Sequence, residues 1–171
     1  AAQDDGIQAE TDTIINGGQI DITESQEGIA GLTVTINGGI INIVSEDDGI
    51  NAAATVETEQ EKMMDQEGVY VKITGGEITI DATADGIDSN GDLYIEGGTL
   101  LISGPTSGGD GMLDYNGEAS ITGGVVMAAG NSGMMQTFGE ASSQPYLVVY
   151  YEANKAAETM FSLLDENGGA L

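Results

Sequence analysis

The chain has 171 residues, with 29 acidic side chains against three Lys, no Arg, no His and no Cys, for a net charge of −26. Such a surface repels nucleic acid and anionic membranes, both of which are bound through Lys and Arg, and it attracts cations. The lack of Cys excludes disulfides, thiolate metal sites and a thiol nucleophile, and at 40% apolar residues the chain is too rich in core formers to be disordered.

The N-terminal "AAQDDGIQAE" already reads as the middle of a structural unit, with no signal peptide before it, as in a mature or trimmed chain. No apolar run reaches the length of a membrane-spanning helix. From Asp5-Gly6 onward two markers alternate. One is an acid-Gly-apolar step, with glycines at Gly6, Gly28, Gly49, Gly86, Gly111 and, in variant form, Gly133. The other is a pair, Gly17-Gly18, Gly38-Gly39, Gly75-Gly76, Gly97-Gly98 and Gly123-Gly124. The period is about 22 residues with one stretched interval, which signals a solenoid. Between markers, apolar residues alternate with polar ones, as strands require.

Three apolar columns result. Ile15, Ile36, Ile73, Ile95 and Ile121 precede the Gly-Gly pairs; Ile20, Ile41, Ile78, Leu100 and Val126 follow them; Ile22, Ile43, Ile80, Ile102 and Ala128 lie two further on. Gly supplies the corners. The fold read from this pattern is all-β: a right-handed parallel β-helix over residues 1–138, its handedness following that of parallel crossovers. The stretch 54–68, "ATVETEQEKMMDQEG", is an insertion that leaves one corner as a loop. Residues 139–171 break the repeat and read as strand, short helix at "EANKAAETM", and strand, packing on the same domain as a cap. Leu101, Val125 and Met127 fall on outward positions and are expected to be covered by something apolar.

The residue before the corner Gly is Asp5, Glu27, Asp48, Asp85 and Asp110 in five successive turns. Stacked strands lie about 4.8 Å apart, so these carboxylates form a column. Two charges about 4 Å apart repel by roughly 4 kcal/mol near a protein surface, and no cationic side chain is near in sequence. A calcium ion, which takes 6–8 oxygens at about 2.3–2.6 Å, removes the conflict. "DGIDSNG" aligned with "DGMLDYNG" pairs Asp85 with Asp110 and Asp88 with Asp114; Asp47 adds an acid beside Asp48. The predicted metal ligands are Asp47, Asp48, Asp85, Asp88, Asp110 and Asp114, with Asp5 and Glu27 as marginal members because their turns lack the second Asp. The competing reading is a solvated acidic edge. Neither the EF-hand loop nor the nonapeptide calcium repeat fits the spacing.

The runs "DGIDSNGDLYIEGG", "GP" and "DGMLDYNGEASITGGVVMAAGNSGMMQ" resemble the secreted bacterial carbohydrate-binding domain family typified by a clostridial cellulose- and acid-sugar-binding protein. The similarity extends over nearly the whole chain, including the tail from "QPYLVVYY". It implies a β-helix resembling that of polysaccharide lyases, calcium at acidic corners, and a secreted or cell-surface location. Carried onto this sequence, it makes Asp48, Asp85, Asp88, Asp110 and Asp114 calcium ligands. The early turns depart from the pattern, with Gln8 and Ala30 in place of the Asp88-type acid.

Three function classes follow. The first, implied by the resemblance, is calcium-dependent, non-catalytic binding of cellulose or an acidic glycan, with no nucleic-acid partner and no membrane insertion. The second is a structural surface coil or adhesin stabilised by calcium. The third, a polysaccharide lyase, needs a base near calcium; with no Arg, Lys72 is the sole candidate, and an exposed charge on a strand is its simpler role. A glycosidase needs only two placed carboxylates, which composition does not exclude. There is no Trp to stack on sugars, so Lys72, Tyr94 and Tyr115 are the candidate carbohydrate contacts.

Overall fold

The computed structural model describes residues 4–55, 58, 60, 63–156 and 159–169. Among these, fifteen strands follow one another. The first two turns contain β1 (Ile7–Gln8), β2 (Asp12–Ile15), β3 (Gln19–Ile22), β4 (Ile29–Gly31), β5 (Thr33–Ile36) and β6 (Ile40–Ser45). The third contains β7 (Ile50–Ala52), β8 (Tyr70–Ile73) and β9 (Glu77–Ala82). The last two contain β10 (Ile87–Ser89), β11 (Asp92–Ile95), β12 (Thr99–Ser103), β13 (Leu113–Tyr115), β14 (Ala119–Ile121) and β15 (Val125–Ala129).

Every third strand joins the same sheet. The three sheets run β1-β4-β7-β10-β13, β2-β5-β8-β11-β14 and β3-β6-β9-β12-β15, and the pairings are parallel throughout. The chain is thus all-β, with three parallel five-stranded sheets stacked as the walls of a solenoid.

The register reproduces the columns of the sequence. Ile15 pairs with Ile36, Ile36 with Ile73, Ile73 with Ile95 and Ile95 with Ile121. Ile41 pairs with Ile78 and Ile43 with Ile80. These side chains are buried and form one continuous core. Ile dominates because a β-branched side chain fits the pleat and packs against its copy one turn away. Outside, polar columns close in the same register. Asn37 Nδ2 donates to Asn16 Oδ1 at 2.8 Å, and Thr74 Oγ1 donates to Asn37 Oδ1 at 2.7 Å.

Two corners need glycine for different reasons. Gly76 has φ of 104°, in the left-handed region that side chains disfavour. At Gly86 the obstacle is space: a Cβ there would lie 2.4 Å from Ile102 Cγ2 and 2.5 Å from Met112 O.

The insertion leaves between β7 and β8. Residues 56, 57, 59, 61 and 62, including Lys62, lie outside the described residues. Its later part returns against the next turn: Gln66 N donates to Asn90 O at 2.7 Å, and Gln66 Oε1 accepts from Ala54 N at 2.7 Å.

The tail differs from expectation. Residues 136–144 run along the free edges of β13 and β14, with Gly139 N donating to Ala119 O at 2.8 Å and Ser143 N to Ile121 O at 3.1 Å. Phe138 joins the core, and Tyr146 meets its ring edge-on at 5.9 Å. Beyond this point the described residues show neither the expected helix over 152–160 nor flanking strands, only a bridge position at Leu164. A helix this short holds only when a face is packed, and here Tyr150 is 66% and Met160 88% exposed. Nor does the tail cover the outward apolar residues of the last turns: Val125 is 51% and Met127 58% exposed.

Candidate metal centre

The acid-Gly corners connect the third sheet to the first. The chain passes there so close to the next turn that backbone groups bond directly, with Gly28 N donating to Asp48 O and Gly49 N to Asp85 O, both at 2.9 Å. The acids reinforce this. Asp5 Oδ1 accepts Glu27 N at 3.1 Å, Asp48 Oδ1 accepts Asp85 N at 3.0 Å, and Asp85 Oδ1 accepts Gly111 N at 2.5 Å. One oxygen of each therefore holds the next turn, and the second oxygen is left for another partner.

On the first sheet, Gln8, Ala30, Asn51, Asp88 and Asp114 occupy one column, successive members being paired. Asp88 thus comes beside the corner acids. Carboxylate oxygens of Asp48, Asp85 and Asp88 all lie within 4.8 Å of one another. Asp48 and Asp85 are buried and Asp88 is half-buried.

Each of these groups is harder to ionise than an ordinary Asp. Burial comes first for Asp48, then the charges of Asp88 and Asp85, and together they push it up to about 8. Asp88 is raised to about 7 by burial and by Asp114, Asp85 and Glu27, with no hydrogen bond to relieve it. Asp85 is raised to about 6, chiefly by burial, because its bond from Gly111 N offsets part of the cost before Asp114 and Asp110 add repulsion. Burial also raises Asp114 and Glu27.

Asn51, the register partner of Asp88, carries a neutral oxygen. Its Nδ2 donates to Glu27 Oε1 at 2.7 Å, which fixes the amide, while its Oδ1 is buried without a hydrogen-bond partner. A buried orphan acceptor costs about 1–3 kcal/mol. A cation bonded at about 2.3–2.6 Å to each oxygen spans ligand oxygens up to about 5 Å apart. The separation within the three-Asp cluster fits that span, and an all-oxygen donor set suits a hard cation such as calcium.

The other predicted ligands sit around this cluster. Asp47 contributes charge to all three acids, and its Oδ2 accepts from Gln26 Nε2 at 3.1 Å. Asp110 leaves the column. Ile87 pairs with Leu113 and Asp88 with Asp114, so Met112 is one residue more than the earlier turns carry, and the register opposes Asp85 with Gly111. The carboxylate of Asp110 instead accepts from Ser107 Oγ. Asp5 and Glu27 occupy earlier turns of the ladder, outside the three-acid cluster.

The three candidate sugar contacts divide. Lys72 and Tyr94 are paired on the second sheet, where they line a shallow groove with Tyr70 and Glu96. Lys72 Nζ is 2.8 Å from Glu96 Oε1. Tyr115, on the first sheet, is tied inward: its hydroxyl donates to Thr137 O, and its N donates to Gln136 Oε1. Asn51 and Tyr70 are neighbours of these sites that the candidate residues above do not include. The signal for Asn51 is its place opposite Asp88; for Tyr70 it is the alternation of β8.

Comparison with protein-family models, curated proteins and solved structures returned no match.

Proposed function

We propose that the chain is a calcium-dependent, non-catalytic polysaccharide-binding coil, a right-handed parallel β-helix that acts in secreted form or at the bacterial cell surface. The observation that carries the calcium reading is the cluster of Asp48, Asp85 and Asp88, three carboxylates held together, with an unpartnered Oδ1 on Asn51, the residue paired with Asp88. Asp48, Asp85 and Asp88 would hold the ion, with Asp47, Asp110 and Asp114 supplying surrounding charge. Calcium would neutralise the corner and lock adjacent turns. The resemblance to the carbohydrate-binding family supports polysaccharide as the ligand. Lys72, the one candidate base, is paired with Glu96 on a different sheet from the acids, which favours binding over lyase chemistry.

The test is co-sedimentation with insoluble cellulose and with polygalacturonate coupled covalently to agarose beads, each with calcium or with chelator. Retention on either matrix in calcium and release by chelator is the expected result. No retention on either in calcium overturns the polysaccharide reading. That outcome would favour a structural coil, a reading drawn from the hydrogen bonds that Asp5, Asp48 and Asp85 make to the following turn.

A further inference from the structure

We infer that the outward face of the second sheet, at Tyr70, Lys72, Tyr94 and Glu96, is a seat for an uncharged hexose chain, apart from the acidic corner. This rests on the polysaccharide-binding reading and names its ligand class and its place.

The register puts Tyr70 opposite Asp92 and Lys72 opposite Tyr94. The two rings therefore stand on diagonal positions of neighbouring strands, with centroids 6.4 Å apart and planes 55° to one another. Between them and the ion pair lies a groove of about 280 Å³. Both rings are partly exposed, although each could have been turned inward only at the cost of burying its hydroxyl. A sugar ring has an apolar face of C–H groups and a rim of hydroxyls. Tilted Tyr rings receive the face, while Lys72 donates to and Glu96 accepts from the rim. Along the same column, Thr35 lies on one side of Lys72 and Ser120 on the far side of Tyr94. Thr35 is small and partly exposed, so a chain has room to continue on that side, whereas Ser120 is buried and closes the other.

The charge around the groove selects against acidic sugars. Lys72 is the cation of the groove, and Glu96 already neutralises it at 2.8 Å. Tyr94 donates to Asp92 Oδ2 at 2.6 Å, and Glu118 and Asp65 add negative charge around the same ring. A uronate entering here meets carboxylates with no free cation among the described residues, whereas a neutral hexose meets no such penalty.

The experiment is calorimetric titration of the calcium-loaded protein with cellohexaose and, separately, with hexagalacturonate. Three proteins are compared: wild type, Tyr70→Ala/Tyr94→Ala and Tyr70→Phe/Tyr94→Phe. The wild type is expected to bind cellohexaose in preference to hexagalacturonate. The Ala pair should lose about ten-fold or more in affinity, and the Phe pair, which keeps both rings, should retain most of it. Calcium titrations of all three should coincide, which separates loss of the groove from loss of the fold. Unchanged cellohexaose binding in the Ala pair overturns the placement. Wild-type binding of hexagalacturonate alone overturns the ligand class but leaves the polysaccharide reading standing. Failure to bind either oligosaccharide or either insoluble matrix removes both.

Discussion

At Asp88 a half-buried carboxylate faces Asp48 and Asp85 with no hydrogen bond to relieve it. Asp88→Asn keeps the shape and removes one charge. Without metal, the variant is expected to melt at a higher temperature than wild type; with calcium the order reverses, and calcium affinity falls by about ten-fold or more. Thermal melts in chelator and in calcium check both signs. The same acids set a pH dependence. Their folded values, about 8, 6 and 7 for Asp48, Asp85 and Asp88, lie above the ordinary carboxylate value. The folded state therefore binds more protons than the unfolded chain between about pH 4 and pH 8. The resulting stability is full below the unfolded value and is lost as pH rises through the folded ones. In chelator, the melting temperature should fall between about pH 5 and pH 8, and Asp88→Asn should flatten that fall. A melting temperature that rises over this range in chelator would contradict the assignment. Gly86 supplies a prediction on packing alone. Its Cβ would collide with Ile102 and with the backbone of Met112, so Gly86→Ala should cost about 1–3 kcal/mol in a denaturant titration.

The Ile columns test the same account on the level of strands. Ile80 is fully buried between Ile43 and Ile102. Ile80→Ala should cost about 2–5 kcal/mol, whereas Ile14→Thr, at a position 59% exposed, should stay within about 0.5 kcal/mol. These columns were legible in the sequence because a period of two counted from Gly-Gly pairs leaves a single register. Asp88 and Asp114 were legible from the alignment of "DGIDSNG" with "DGMLDYNG", and the register pairs them. Asp110 was not, because "DGMLD" carries one residue more than "DGID". Anchoring on Asp-Gly and anchoring on the second Asp conflict there, and pairing of Ile87 with Leu113 keeps the core and displaces the corner acid. The tail was misread for a different cause. "EANKAAETM" has good helix formers, but its described residues form no helix without a packed face, and neighbouring Tyr150, Tyr151 and Phe161 are exposed. The orphan acceptor of Asn51 was not legible, since it depends on the amide being held by Glu27.

Over the whole molecule, a net charge of −26 is combined with a coil whose corners concentrate acids. Long-range repulsion among exposed acids is screened within about 8 Å at physiological ionic strength, so simple salt should relieve the surface. It should relieve the buried corner far less, and a bound divalent ion should do so at much lower concentration. Calcium should therefore raise the melting temperature at levels where the same ionic strength of sodium chloride does little. The most direct measurement is calorimetric titration of chelator-stripped protein with calcium, followed by melts with and without the ion. Saturable binding, weakened about ten-fold or more in Asp88→Asn and accompanied by a rise in melting temperature, is the predicted result. No heat of binding and no shift in melting temperature at millimolar calcium would contradict the metal centre and leave the acids as hydrogen-bonding corners of a solvated edge.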